Sequence, residues 1–201
     1  MEIVSRETLD KKLALYVELL LKWQKKINLI SEKTADDIWT RHINDSLQIV
    51  KLIDDDTQTI IDIGSGAGLP GIPLAAATQV KTILIESDTR KCVFMQEASR
   101  VLELDTHIIN QRIEVAQLDN VKTPVVITAR ALASLNDIFK LIHSLLDKNN
   151  LHEYKILLPK GRNVSRETEE AENNWEFTRE LVQSETNKEA SIMIINRLKP
   201  R

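Results

Sequence analysis

The stretch DIGSGAGLPGIPLA, residues 62–75, holds most of the glycine in this chain. The sequence contains five glycines, and Gly64, Gly66, Gly68 and Gly71 all fall within this stretch. Glycine lets the backbone adopt positive φ and lets a ligand approach without a Cβ in the way. Tight packing of a strand against a helix is the alternative explanation, but glycines this dense favour ligand binding. We therefore predict a cofactor-binding turn.

Two cofactors compete for this turn. Residues 66–71, GAGLPG, match the dinucleotide pattern G-x-G-x-x-G, and Glu86 stands where that pattern places a ribose-binding carboxylate. Read from Asp62, the same segment is D-x-G-x-G-x-G, the loop of S-adenosylmethionine (SAM) methyltransferases. Glu86 again ends the second strand in this reading and can hold both ribose hydroxyls. The spacing alone leaves both cofactors open.

The two prolines beside the glycines favour SAM without excluding NAD. A pyrophosphate is held by backbone N–H groups at a helix N-terminus. Pro70 and Pro73 remove two such donors from this region. SAM has no phosphate, so it loses less by their presence, and the fixed φ of proline stiffens the loop and starts the helix.

The turn belongs to a chain in which short apolar strands alternate with amphipathic helices. This alternation predicts a doubly wound, mostly parallel α/β sheet of Rossmann-like form, with helices on both faces. Ligands bind beyond the carboxyl ends of such strands, where the glycine turn follows the first strand. The residues after 175 predict two final strands, and the polar stretch 163–174 predicts an exposed segment. The predicted strands cover residues 59–63, 81–87, 106–110, 124–129, 154–159, 177–184 and 190–198.

Helical periodicity fills the start of the chain. Apolar residues recur at spacings of three and four over residues 6–29, and again from Trp39 to Val50. We predict that residues 1–56 form an N-terminal helical extension packed on the core, and that 57–201 form the methyltransferase domain. Trp39, like Trp23, sits at core spacing, which predicts packing rather than base stacking.

Composition limits the partners and the compartment. The net charge of −3 does not indicate a nucleic-acid-binding protein, so an RNA partner needs a local basic face. Cys92 is the single cysteine, which we interpret as a core residue in a reducing cytoplasm. No apolar run reaches transmembrane length and the start lacks a signal pattern, so we expect no membrane association. The scattered histidines predict no metal site.

Several separate motifs resemble one family. They are IDIGSGAGLPGIPLA at 61–75, LLKWQKKINLIS at 20–31, RHINDSL at 41–47, ITARALASLND at 127–137 and LLPKG at 157–161. Together and in this order they resemble the bacterial small-subunit ribosomal RNA guanine-N7 methyltransferases, the glucose-inhibited division protein B family. The resemblance implies SAM as cofactor and 16S rRNA in the small ribosomal subunit as partner, with guanine 527 as target. We expect a monomer that does not act on DNA.

The resemblance also implies site residues. It implies SAM contacts at Gly64, Leu69, Ile113, Glu114 and Arg130, to which the loop patterns add Gly66 and Glu86. The family commonly has aspartate where Glu86 stands, so the charge is kept with one extra methylene. Candidates for RNA contact are Arg41, His42 and Lys160. The acidic run from Glu167 to Glu172 is interpreted as solvated surface.

The implied chemistry needs no acid–base catalyst. Guanine N7 carries no proton, so orientation and desolvation supply the acceleration. The sequence TARAL follows the fourth strand, where exocyclic-amine methylases carry a [D/N/S]-P-P-[Y/F] box. We therefore predict that Arg130 positions the substrate or holds the SAM carboxylate. An NAD-dependent oxidoreductase and a non-catalytic SAM- or RNA-binding module remain the alternative functions.

Overall fold

A central seven-stranded sheet organises residues 3–201, which are the residues described by the computed structural model. The strand order is β3-β2-β1-β4-β5-β7-β6, with β7 antiparallel to both of its neighbours and the other pairs parallel. The predicted α/β sheet is confirmed. The strands are β1 Thr59–Ile63, β2 Lys81–Glu86, β3 Thr106–Asn110, β4 Val125–Thr128, β5 Tyr154–Lys160, β6 Trp175–Gln183 and β7 Ser191–Pro200.

The chain reverses direction across the sheet between β1 and β4. It runs from β1 outward to β3, then returns to place β4 on the other side of β1. Such a switch point opens a crevice at the carboxyl ends of the two strands, where ligands bind in open α/β sheets. The crevice is bordered by the glycine turn after β1 and by the segment 129–134 after β4.

The helices cover both faces of the sheet. The first three are α1 Arg6–Gln24, α2 Glu32–Ala35 and α3, a continuous stretch made of Trp39–Asn44 (π), Asp45–Leu47 (α) and Gln48–Leu52 (3₁₀). The others are α4 Gly71–Thr78, α5 Thr89–Leu102, α6 Leu135–Lys148 and α7 Val164–Glu172. Side-chain caps fix several starts, for example at Ser134, whose Oγ accepts from the N–H of Asp137.

The first helix is shorter than its periodicity predicts, because a glutamine side chain takes over the backbone bonds. Gln24 Oε1 accepts from the N–H of Leu29 (2.8 Å) and of Ile30 (3.0 Å). Its Nε2 donates to the carbonyl of Ile30 at 2.8 Å. These bonds hold residues 25–30 in a turn, so the helix ends at Gln24 rather than at residue 29.

The stretch 163–174 is mostly exposed, as expected, but the sequence did not predict that it contains helix α7, which buries Ala171 completely and leaves Thr168 only 3% exposed. Its apolar residues are too sparse to give a helical period, so tertiary packing decides the outcome. Trp39 was expected in the core but is 43% exposed, whereas Trp23 packs edge-on against Phe94 with ring centroids 5.8 Å apart.

Helix α1 shares a core with the sheet rather than standing apart from it. Leu13, Tyr16 and Leu20 are buried against Phe94 of α5 and against Leu69 in the glycine turn. The hydroxyl of Tyr16 donates to the carbonyl of Ala67 at 2.6 Å, with the whole side chain buried. The N-terminal helix thus holds the turn directly. Met1 and Glu2, the first two residues of the predicted extension, lie outside the described residues.

Over the described range 3–201, none of the helices combines the length and apolar character needed to cross a membrane.

The bond between Tyr16 and the glycine turn gives a first prediction. Replacing Tyr16 by Phe leaves the buried carbonyl of Ala67 without its donor, which costs about 1–3 kcal/mol of unfolding free energy. We expect faster amide hydrogen exchange in residues 64–72. The matched control is Tyr154→Phe, because Tyr154 is the other tyrosine and its Oη accepts from Leu198 N–H at 3.1 Å.

The control variant should lose stability without faster exchange in residues 64–72. Equal exchange of this segment in both variants would contradict the account.

Candidate functional site

The glycine turn after β1 adopts a backbone that other residues disfavour. Gly64 has φ of 65° and Gly66 has φ of 58°. A Cβ on Gly64 would lie 2.4 Å from Leu132 Cδ1, so a larger residue here would displace the Leu132 side chain in addition to straining the backbone. A Cβ on Gly66 would meet only the carbonyl of Gly64, at 3.9 Å. Gly64 therefore joins the two sides of the crevice, and Gly66 faces open space.

Most N–H groups of this turn are used within the protein. The donors of residues 64 and 65 reach the carbonyl of Ile85, and those of residues 68 and 69 reach the carbonyl of Ser65. Gly66 N–H donates to Glu86 Oε2 at 2.9 Å, and Gly71 N–H donates to Asp62 Oδ2 at 3.1 Å. A pyrophosphate needs such donors free at the helix N-terminus. The turn is thus better suited to a cofactor without phosphate.

Asp62 stands in for an anion at the start of α4. Its carboxyl is completely buried, and Oδ1 has no hydrogen-bond partner among the described residues. Burial raises the pKa of Asp62 to about 7, against the lowering effect of the N–H donated by Gly71. The carboxyl accordingly exchanges a proton near neutral pH while holding the first turn of the helix.

Glu86 at the end of β2 supports the turn and still faces the crevice. Its Oε2 accepts from Gly66, and its Oε1 accepts from the N–H of Asp88 at 2.8 Å. A carboxylate offers about four lone-pair sites, so both oxygens can accept further bonds from a bound ribose. The extra methylene of glutamate relative to aspartate is used here to reach the backbone of the turn.

The predicted cofactor residues meet in one pocket of about 620 Å³, a volume in the range of cofactor sites. It is lined by the glycine turn, by Glu86 and by Ile113 and Glu114 of the 3₁₀ turn Ile113–Val115 after β3. The predicted residues that line it are Gly64, Gly66, Leu69, Glu86, Ile113, Glu114 and Arg130, together with Arg41 and His42.

Arg130 closes the pocket on the side of β4 and is held by helix α3. Its NH2 donates to His42 Nδ1 at 2.8 Å, and its NH1 donates to the carbonyl of Arg41 at 3.1 Å and lies 3.4 Å from Asp45 Oδ2. The Arg130 side chain is only 16% exposed. The guanidinium is thus fixed by three acceptors from one helical segment.

This arrangement assigns the protonation state of His42. Burial and the neighbouring Arg130 lower the pKa of His42 to about 4, so its ring is neutral at neutral pH. Nδ1 accepts from Arg130, which places the ring proton on Nε2, 2.8 Å from Thr34 Oγ1. Both ring nitrogens are therefore engaged inside the protein.

Sequence reasoning did not single out Asp45. The motif RHINDSL could have indicated it, because Asp45 follows His42 by three positions and lies on the same helix face. Cys92, in contrast, is a buried core residue as predicted, and burial raises the pKa of its thiol to about 11. It is therefore protonated and a poor nucleophile at neutral pH.

Lys160 lies outside the cofactor pocket, in a second pocket of about 410 Å³. The two pockets share Arg41, Arg130 and Ala131 in their walls. The Lys160 side chain is 8% exposed, and its Nζ lies 2.5 Å from Glu167 Oε2. The expectation that the acidic run 167–172 is only solvated surface is therefore wrong at Glu167.

Comparison with known sequences identifies close relatives. The family described as GidB, rRNA small subunit methyltransferase G, matches residues 9–194. A relative named Ribosomal RNA small subunit methyltransferase G from Rickettsia rickettsii (strain Sheila Smith) is 42% identical, covering 97% of each chain. A relative with the same name from Rickettsia bellii (strain OSU 85-389) is also 42% identical, covering 97% of this chain and 96% of the other.

Solved structures with low sequence identity share the fold. A mutant of MtNAS in complex with S-adenosylmethionine superposes with a TM-score of 0.58 at 16% identity, covering 93% of this chain and 75% of that one. The 23S rRNA methyltransferase ErmE gives a TM-score of 0.51 at 15% identity, covering 84% of this chain and 69% of that one.

Fold and pocket together define a SAM-dependent methyltransferase. Its doubly wound sheet places a glycine turn with internally satisfied donors beside an acidic residue at the end of β2. Among such enzymes, the chain belongs to the rRNA small subunit methyltransferase G family, GidB.

The buried Asp62 gives a second prediction. Its pKa of about 7 in the folded state lies above its ordinary 3.8, so the native protein binds the extra proton between these values. The stability that this proton provides is present below about pH 4 and is lost as pH rises through 7. Replacing Asp62 by Asn removes this titration. The unfolding free energy of wild type minus that of the variant should fall by about 2 kcal/mol between pH 5 and pH 7.

Urea unfolding of both proteins at the two pH values measures this difference. Other titrating groups are common to both proteins and cancel. A difference that does not change with pH would show that Asp62 titrates normally.

Proposed function

We propose that this protein transfers a methyl group from SAM to N7 of a guanine in 16S rRNA. The observation that carries the proposal is the shared wall at Arg130, where the cofactor pocket meets a second, polar pocket. A methyltransferase needs its cofactor and its acceptor in contact at one point. The crevice beyond β4 provides such a meeting point. The family relatives named as rRNA small subunit methyltransferases support rRNA as the acceptor.

Our proposal assigns cofactor contacts to the residues of the first pocket. Glu86 accepts hydrogen bonds from the ribose hydroxyls, while the bare face of Gly66 lets the cofactor approach the turn. Leu69 and Ile113 are both buried and give apolar contact to the adenine. Backbone groups of Gly64 and of Glu114 supply the remaining polar contacts.

The reaction requires little acid–base catalysis from the side chains of the protein. SAM supplies an electrophilic methyl group when bound, and guanine N7 presents an unprotonated lone pair. The chain therefore has to align the acceptor, exclude water and hold the charged groups in place. Arg130 is suited to this task because His42, Asp45 and the carbonyl of Arg41 fix its guanidinium at the junction of the pockets.

We propose that residues 1–56 act as a helical extension that completes the site, with 57–201 as the methyltransferase domain. Leu29, Ile30 and Thr34 line the cofactor pocket although they lie before the first strand. Tyr16 of α1 binds the turn itself. Without this extension the pocket would lose a wall and Arg130 would lose its acceptors.

RNA contact is proposed for Arg41 and Lys160, which border the second pocket. Because both ring nitrogens of His42 are engaged, we propose that it holds Arg130 in place rather than gripping RNA. The net charge of −3 means that a few local cations position the substrate. The proposed substrate is rRNA within the small ribosomal subunit, bound by a monomer in the cytoplasm.

An unpaired guanine is the expected target. In a regular A-form helix the major groove is too narrow for side chains to reach N7, so the base must lie in a loop or be turned out. An NAD-dependent oxidoreductase, the alternative function, is disfavoured because the N–H groups that would hold a pyrophosphate are already engaged.

The proposal is tested by label transfer. Small subunits from a strain that lacks the enzyme are incubated with the protein and with SAM labelled on its methyl group. We expect label in 16S rRNA, and we expect subunits from a strain that has the enzyme to accept little. No transfer, label on protein, or binding of NAD without binding of SAM would contradict the proposal.

Arg130 gives the next prediction. The Arg130→Ala variant should lose about 100-fold in transfer, because a misaligned acceptor reacts that much more slowly. Its thermal unfolding should stay cooperative, since the side chain lies at the edge of the core. Arg100→Ala on the exposed face of α5 is the matched control and should transfer normally. Wild-type turnover by the Arg130 variant would remove this residue from the site.

A further inference from the structure

The second pocket contains a buried ion pair whose position asks for an explanation. Lys160 ends β5, and its ammonium lies 2.5 Å from Glu167 Oε2 on α7, with the two side chains 8% and 25% exposed. Charges this deep cost desolvation free energy, and replacing such pairs by apolar residues is often neutral or stabilising. Stability alone therefore gives a poor reason for a paired charge at the rim of the crevice.

The pair retains hydrogen-bonding capacity toward the pocket. Glu167 Oε2 also accepts from the N–H of Leu135 at 3.0 Å, so in the described part of the chain both of its contacts use one oxygen. An ammonium carries three donors, and a carboxylate accepts through both oxygens. Lys160 has two donors left, and Glu167 Oε1 can accept a bond beside them.

A third polar group marks the same place. Ser191 of β7 is the direct cross-strand partner of Lys160, and both residues line the second pocket. Over residues 3–201, its Oγ is one of three buried side-chain atoms without a hydrogen-bond partner, the others being Asp62 Oδ1 and Thr128 Oγ1. Buried polar atoms are normally satisfied, so this Oγ is an unused polar atom next to the ion pair.

We infer that the second pocket receives the target guanine and that Lys160 and Glu167 read its Watson–Crick edge. This inference rests on the proposed function. Guanine presents the O6 acceptor next to the N1–H donor, which matches an ammonium beside a carboxylate. Adenine presents a donor and an acceptor in the opposite order. Its donor would face the ammonium of Lys160, and its acceptor would face the carboxylate of Glu167. Bases turned out of the stack are commonly read in this way.

The position of the pocket fits this assignment. Guanine N7 lies next to O6, on the edge that adjoins the Watson–Crick edge. The base is placed so that this edge faces Arg130 and Ala131, which also line the cofactor pocket. Pro159 and Ile192 provide apolar surface for the ring. The volume of about 410 Å³ accommodates a nucleobase with its sugar.

The test exchanges the base at the target position. Small subunits are reconstituted with rRNA that carries guanine, hypoxanthine or 2-aminopurine there. Hypoxanthine keeps O6, N1–H and N7, whereas 2-aminopurine keeps N7 and loses both O6 and N1–H. The wild-type protein should methylate hypoxanthine within about threefold of guanine, and 2-aminopurine about 10- to 100-fold less.

The variant Lys160→Met/Glu167→Gln should lower the guanine-to-2-aminopurine ratio by about 10- to 100-fold relative to wild type. The intrinsic reactivity of N7 in each base does not depend on the protein variant. It therefore cancels when the ratio of the variant is divided by that of the wild type. SAM affinity should stay at the wild-type level, because neither residue lines the cofactor pocket. The matched control is Lys155→Met at the other end of β5, since Lys155 is also partly buried and paired, to Asp54.

The control should keep the wild-type ratio. A double variant that folds and keeps the wild-type ratio would overturn the inference, as would a wild type that accepts 2-aminopurine as well as guanine. A wild type that transfers nothing to guanine subunits would instead overturn the proposed function itself.

Discussion

Two carboxylates at the carboxyl ends of neighbouring strands hold the glycine turn in shape, and the site depends on them. Asp62 at the end of β1 takes the first N–H of α4, and Glu86 at the end of β2 takes the N–H of Gly66. Asp62 thereby occupies an N–H at the start of α4, where a dinucleotide fold would bind phosphate. Glu86 occupies the N–H of Gly66 and still lines the cofactor pocket.

The second constraint is the attachment of the N-terminal helices to this frame. Tyr16 binds the turn from one side, while His42 and Asp45 hold Arg130 from the other. The extension is therefore a structural part of the site. The β6–β7 connection is attached to the same extension, because Gln48 and Asp45 of α3 both form hydrogen bonds with residues 184–186. Helix α3 thus joins the cofactor pocket to the second pocket.

Local signals in the sequence predict the strands, the glycine turn and Glu86, because each depends on residues close together in the chain. The end of α1 could not be predicted, since it depends on the side chain of Gln24 reaching two later residues. The bonds of Arg130 to α3 span 85 to 89 positions, and no local pattern indicates them. Helix α7 was missed because its apolar residues are too sparse to give a helical period. The role of Glu167 could not be predicted, since it depends on Lys160 of β5 lying beside it.

The central claim is that the methyl group is placed on N7 of a guanine, and the chemistry of that product tests it directly. A guanine methylated at N7 carries a positive charge that makes its ring reducible; reduction leads to loss of the base, and amine treatment then breaks the RNA chain at that position. The account predicts that rRNA from treated small subunits breaks at one guanine, and that rRNA from untreated subunits of the deficient strain does not. Labelled rRNA that resists this cleavage would place the methyl group on another atom and contradict the account.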